Sequence, residues 1–147
     1  MFKHILIPTD GTRFSLKAVT TAVKLAAGLH AKVTALHVLP ATTYDFVGDI
    51  VSTRLLTPRE AREREQKAAK TVFKNLERAA AAARVKAGGL CVTSDDVYGS
   101  IIAQAKKNRC DLIVMASHGR RGLSGLLLGS ETHKVLTHSK IPVLVCR

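Results

Sequence analysis

The sequence predicts an α/β fold: a parallel sheet with helices packed on both faces. Three observations carry that reading. Short apolar, strand-like runs alternate with helix-length segments along the chain, and such alternation calls for a parallel sheet between helix layers. One run, Leu112 to Ala116 (LIVMA), is apolar without a break, as a strand covered on both faces must be. A helix start with a full capping sequence, Thr57-Pro58-Arg59-Glu60, stands between two such runs.

The elements follow in order. His4 to Pro8 (HILIP) reads as the first strand. Arg13 to Leu29 places Ala18, Val19, Ala22, Val23, Ala26 and Leu29 at helical spacing. Ala31 to Leu39 is the second strand, and a longer connection runs from Pro40 to Thr57. The next helix has one apolar stripe of Ala69, Val72, Phe73, Leu76, Ala80 and Ala83. Glu60 with Arg64 and Glu63 with Lys67 stand four apart in the favourable order, and Gly88-Gly89 marks its end. Leu90 to Val97 is the third strand, Ser100 to Asn108 a short helix after Gly99, and Leu112 to Ala116 the fourth strand. A glycine-rich loop leads to a short helix over about Glu131 to Thr137, and Ile141 to Cys146 closes the sheet. The length, 147 residues, suits one domain.

Composition narrows the class. The N-terminal MFKHILIPTD has too short an apolar run for a signal peptide. No stretch reaches the length of a membrane span. Cys91, Cys110 and Cys146 are widely spaced, without disulfide or metal-ligand pattern. Buried, reduced thiols in a cytoplasmic setting are expected. Net charge is +12, from 23 basic and 11 acidic residues, which draws anionic partners without choosing among them. The helix from Arg59 to Lys86 has nine basic and four acidic residues. Its single aromatic, Phe73, lies on the apolar stripe, so the helix reads as a solvated face and argues against nucleic acid.

Two stretches point to a ligand. In Met115-Ala116-Ser117-His118-Gly119, nine residues, then Gly129-Ser130, glycines allow close backbone approach and successive amides can cradle an anion. Gly129-Ser130 directly precedes a helix, whose N-terminus favours phosphate. Arg120 and Arg121 add cations. No Gly-Lys-Ser/Thr occurs, so this is not a Walker A loop. The second stretch is Pro8-Thr9-Asp10-Gly11-Thr12 at the end of the first strand, where Asp10 either caps the helix or bonds a ligand. Other candidates read as structural. His118 has no nucleophile with a supporting acid near it in sequence, and His133 and His138 are five apart, off a common helical face. Asp95 and Asp96, adjacent at a strand end, read as solvated residues. No dedicated catalytic set is visible, so the chain is not read as an enzyme.

With ILIPTDGT, ALHVLP, DLIVMASHGRRGLSGLLLGS and IPVLV in place, the chain resembles the universal stress proteins along essentially its whole length, which implies one such domain over 1–147. The resemblance implies a Rossmann-like, adenine nucleotide alpha hydrolase-like fold with strand order 3-2-1-4-5. It also implies ATP as ligand, with Mg or Mn. The nucleotide-binding branch carries Gly-x2-Gly-x9-Gly-Ser/Thr; here the first glycine is Ala116, the one departure. By the same resemblance, Pro8, Thr9 and Asp10 would flank adenine and ribose, and the Val38 backbone would meet the adenine edge. Met115, Ala116, His118 and Arg120 would line the site. Gly119, Gly129, Ser130 and the amide of Glu131 would take the phosphates. A homodimer paired through Ile141 to Cys146 is implied as well, an apolar terminal strand inviting such pairing. The function expected is an ATP-binding regulatory module in stress response, with an unidentified protein partner and no membrane. The alternatives are a member that works through protein contacts without ATP, and a slow nucleotide hydrolase. The Pro40 to Thr57 connection, with Tyr44, Phe46, Val47, Ile50, Val51, Leu55 and Leu56, is expected to cover the nucleotide or meet a partner.

Overall fold

The computed structural model describes residues 1–41, 57–118 and 128–147. The body of the Pro40 to Thr57 connection (42–56), and Gly119, Arg120 and Arg121, lie outside the described residues. Five parallel strands form one sheet: β1 (His4–Pro8), β2 (Lys32–Leu39), β3 (Ala87–Thr93), β4 (Leu112–Ala116) and β5 (Val143–Cys146). Their order is β3-β2-β1-β4-β5. The helices are α1 (Arg13–Leu29), α2 (Pro58–Ala82), α3 (Val97–Lys107) and α4 (Ser130–His138).

Strand alternation builds two cores. Ile5, Ile7, Val33, Ala35, Leu112 and Val114 face one way, against Val19, Ala22, Val23 and Ala26 of α1 and Leu76 of α2. Leu6, Leu36, Ile113 and Met115 face the other way, against Ile101 and Ala105 of α3 and Val135 of α4. Side chains of period two on a strand reach both layers, so β1 and β4 are apolar at every position but His4. All five residues of each are buried.

Several local expectations are corrected. Helix α2 stops at Ala82, with Arg84 in the left-handed region at φ 57°; Gly88 and Gly89 lie inside β3 instead. A Cβ at Gly89 would meet Phe73 Cγ at 2.7 Å. The ring packs straight onto the strand backbone, so this glycine answers to packing rather than to a helix end. Strand β3 therefore starts three residues before the expected Leu90 and ends at Thr93. Helix α3 begins at Val97, because Asp96 caps it: its carboxylate accepts the Gly99 N–H at 3.1 Å. Asp95 accepts the Ala41 N–H at 3.0 Å. Both aspartates are exposed, as expected of solvated strand-end residues, and each also makes a structural bond at the top of β3. Helix α4 includes Ser130 and His138, and β5 starts at Val143.

At the N-terminal ends of the central strands, the Asp111 carboxylate accepts the N–H groups of Lys3 and His4 at 2.8 and 2.9 Å. His4 donates from Nδ1 to the Asn108 carbonyl (3.0 Å) and accepts the Thr34 hydroxyl at Nε2 (2.8 Å). Burial, with Lys32 nearby, holds the imidazole below its ordinary 6.5. Burial pushes the Asp111 carboxyl up, but the two N–H bonds outweigh it and hold the group below 3.8. A depressed pKa in either group means stability present at higher pH and lost as pH falls through the folded value. Asp111→Asn is expected to cost about 1–2 kcal/mol at neutral pH. Urea unfolding should show its gap from the parent protein closing only once the pH falls below about 4.

The cysteines also differ from expectation. Cys110 is buried, Cys146 intermediate, and Cys91 exposed on β3. Burial raises the Cys110 thiol to about 11. Alkylation under native conditions, followed by mass spectrometry, is expected to label Cys91 and to leave Cys110 unlabelled until denaturant is added.

Candidate functional site

The strand order reverses between β1 and β4, and the ends of these two strands make the site. They pair through Ile5 with Leu112 and Leu6 with Ile113, and beyond β1 the Thr9 N–H donates to the Leu36 carbonyl of β2 at 2.9 Å. Ligands of open α/β sheets bind at such a reversal.

On the β1 side, backbone conformation is set by one glycine. Gly11 has φ 80°, where a side chain would be strained, and it turns the chain from strand into helix. Thr12, not Asp10, caps α1: its hydroxyl accepts the Ser15 N–H at 3.3 Å. Asp10 supports that cap by accepting the Thr12 N–H (3.0 Å) and hydroxyl (2.7 Å) through Oδ1. Thr9 is buried, donating its hydroxyl to Ser15 Oγ at 3.1 Å and accepting the Gly11 N–H at 3.3 Å. Beside them a cleft of about 300 Å³ opens toward α2, lined by Asp10, Gly11, Thr12, Thr71, Val72 and Asn75.

A residue absent from the sequence-based set holds this side in place. His37, 2% exposed on β2, lies within 2.8 Å of the Thr9 carbonyl through Nδ1. A nitrogen facing a carbonyl must carry the proton. Its Nε2 lies 3.4 Å from the Glu65 carboxylate of α2. That atom makes no hydrogen bond among the described residues. Val38, next along β2, pairs with Val92, and its half-buried side chain joins the α3 and α4 core. Only its backbone is left for a ligand at the strand end.

On the β4 side, strand end and helix start are joined. The Gly129 N–H donates to the Ser117 carbonyl at 2.7 Å, and the Thr132 hydroxyl to the Ala116 carbonyl at 2.9 Å. Ser117 itself donates its N–H to the Cys146 carbonyl at 2.7 Å. These bonds bring the start of α4 to the end of β4. Thr12, Thr57 and Asp96 cap α1, α2 and α3 with side chains; Gly129 gives α4 none. The amides of Ser130, Glu131 and Thr132 precede the first helical bond, His133 N–H to the Gly129 carbonyl at 2.9 Å. An uncapped helix start of this kind attracts anions.

The remaining candidates sort by burial. Met115 is 5% and Ala116 8% exposed, so they present mainly backbone. Glu131 directs its carboxylate away, accepting the Tyr98 N–H at 3.1 Å and meeting Lys134 Nζ at 2.9 Å. That leaves its amide for a ligand. His118 Nδ1 lies 3.1 Å from Ser117 Oγ, and its ring packs 6.5 Å from Phe14. Among the described residues no three His, Cys, Asp or Glu side chains form a metal-binding group. Of the residues the sequence reading passed over, Thr12 had a signal in its position three before Ser15; His37 and Thr132 had none, since their partners are distant in the chain.

The sheet order and the place of its reversal define a Rossmann-like α/β protein. The chain belongs to the universal stress protein family, which it matches over residues 1–147. It is 32% identical to universal stress protein YxiE of Bacillus subtilis, covering all of both chains. It is also 32% identical to universal stress protein MJ0531 of Methanocaldococcus jannaschii, covering all of this chain and 83% of that one. The solved structure of universal stress protein UspA from Lactobacillus plantarum matches with a TM-score of 0.82 at 25% identity, over 99% of this chain and 98% of that one. Two more distant structures share the fold: a universal stress protein in complex with cAMP (TM-score 0.72, 23% identity, 99% and 97% covered), and a family protein from Arabidopsis thaliana with AMP bound (0.66, 14%, 97% and 90%).

Proposed function

We propose that this chain binds an adenine nucleotide, ATP foremost, at the reversal between β1 and β4, and acts as a nucleotide-dependent regulatory module in stress response. The observation that carries the reading is the N-terminus of α4, bonded to the end of β4 and without a side-chain cap among the described residues, where α1, α2 and α3 each have one. Pro8, Thr9 and Asp10 flank the base and ribose, the Val38 backbone meets the adenine edge, and Gly129, Ser130 and the Glu131 amide take phosphate. Gly119 and Arg120 belong to the same loop. The cAMP and AMP complexes of the two distant family structures accord with an adenine ligand on this fold. Asp10 is committed to Thr12, so a divalent ion would be held by phosphate oxygens and water, as Mg²⁺ commonly is. Three free cysteines suit a reducing, cytoplasmic compartment. Strand β5, at the sheet edge with Leu144 39% exposed, pairs with its copy in a homodimer.

Calorimetric titration with ATP and magnesium, and separately with AMP and cAMP, tests the reading; no heat of binding at millimolar ligand would overturn it. Ala116→Gly separates the main alternative, a protein that works through contacts without nucleotide. Ala116 is nearly buried, so the variant is expected to change affinity by less than about threefold, well under 1 kcal/mol. Binding seen only in the glycine variant would favour the alternative.

A further inference from the structure

The basic character expected on α2 is diluted there by Glu60, Glu63, Glu65 and Glu77. Helix α1 is different: it has no acidic residue and places Arg13, Lys17 and Lys24 on one exposed face. With Arg147 they line a groove of about 470 Å³, together with the hydroxyls of Thr20 and Thr21 and a floor of Leu16. No Asp or Glu side chain lines it, and among the described residues none of its four cationic side chains makes an ion pair. Arg13 stands at the first position of the helix, where the dipole disfavours a cation. A sequence that accepts such a cost locally is commonly serving a ligand.

We propose that this groove binds the phosphate backbone of a single-stranded nucleic acid. From Arg13 to Lys24 the helix rises about 16 Å, with a cation or hydroxyl at nearly every turn. Guanidinium, ammonium and hydroxyl donors are the groups that meet phosphate oxygens. Phe14, beside Arg13, is 52% exposed. Its ring does not line the groove and lies 6.5 Å from the His118 ring, but as Arg13's neighbour in the chain it can offer a face to an unpaired base of a strand held there, the aromatic partner that single strands use. A duplex has no free base to give it, which selects the single strand. The groove adjoins the cleft at the end of β1, both being lined by Leu16, but shares no residue with the start of α4.

The test is fluorescence anisotropy of the full chain with a labelled oligoribonucleotide of about twelve nucleotides, within the size such grooves cover, across a series of salt concentrations. Binding should weaken with salt, at about 0.7 in log–log slope per phosphate contact. Lys17→Glu with Lys24→Glu is expected to weaken binding at least about tenfold and reduce the slope by about 1.4. Lys70→Glu with Lys74→Glu, exposed on α2 and equal in charge change, should stay within about twofold. Phe14→Ala should lower affinity with the slope unchanged. Circular dichroism confirms that each variant is folded, and ATP calorimetry on the groove variant keeps this result separate from the nucleotide site. Absence of binding, equal loss in both charge variants, or competition by polyglutamate or duplex as strong as by the single strand would each overturn the proposal.

Discussion

Gly129→Asp is expected to raise the melting temperature and abolish nucleotide binding in the same molecule. Gly129 has φ −69° and ψ 152°, an extended conformation that any residue adopts. An aspartate there would accept the first-turn amides of α4 and complement the dipole, stabilising the protein by about 1 kcal/mol. The same carboxylate would occupy the amides that phosphate needs and repel its charge. A hundredfold or greater loss of affinity, about 2.7 kcal/mol or more, should follow. Gly129→Asn serves as the neutral partner, with similar stability and an intermediate loss. Thermal unfolding and ATP calorimetry on the three proteins decide the matter. Full ATP affinity in the aspartate variant would mean that phosphate does not sit at α4.

The second large effect is expected at His37. Its removal in His37→Ala opens a cavity between β2 and α2 and leaves the Thr9 carbonyl without its buried donor. The expected cost is about 2–4 kcal/mol, read from urea midpoints at constant slope. His37→Phe keeps much of the volume and loses the hydrogen bond, so it should fall between the parent and the alanine variant. Because Thr9 carries the turn into α1, ATP affinity should drop as well, even though His37 touches no proposed ligand atom. A loss under about 1 kcal/mol in His37→Ala would show that the Thr9 turn stands without it.

What could be read in advance depended on whether the cause was local. Helix α1 runs over the expected Arg13–Leu29, and β1 and β4 have the expected bounds, because caps, stripes and apolar runs lie within the segments themselves. Misreadings arose where a glycine served a neighbour. Gly89 looked like a helix stop and is a strand residue beneath the Phe73 ring. Gly99 looked like a break before α3, yet it lies in the first turn, where an added Cβ would collide with the capping Asp96 carboxylate. The end of α2 was hidden in the run Ala79 to Ala83, which has no stop signal, and the turn falls to Arg84 at positive φ. In the candidate site, residue types and spacing were legible in Gly129-Ser130 and Pro8-Thr9-Asp10. The division of labour was not: Thr12 takes the cap and His37 steadies Thr9, through partners that only the fold assembles.

The 2.7 Å bond from Gly129 to Ser117 has a bearing on how the site can be altered. It acts as a drawstring: whatever path residues 119–127 follow, the two ends of that excursion are already tied at its neck. The entropy of bringing its ends together is then already met by the folded body. Since closure entropy grows only with the logarithm of length, about 0.6 kcal/mol per doubling, insertions within 119–127 should leave the folded body nearly untouched while reshaping what the loop can hold. A library varied in loop length is thus expected to leave the stability of the scaffold almost unchanged.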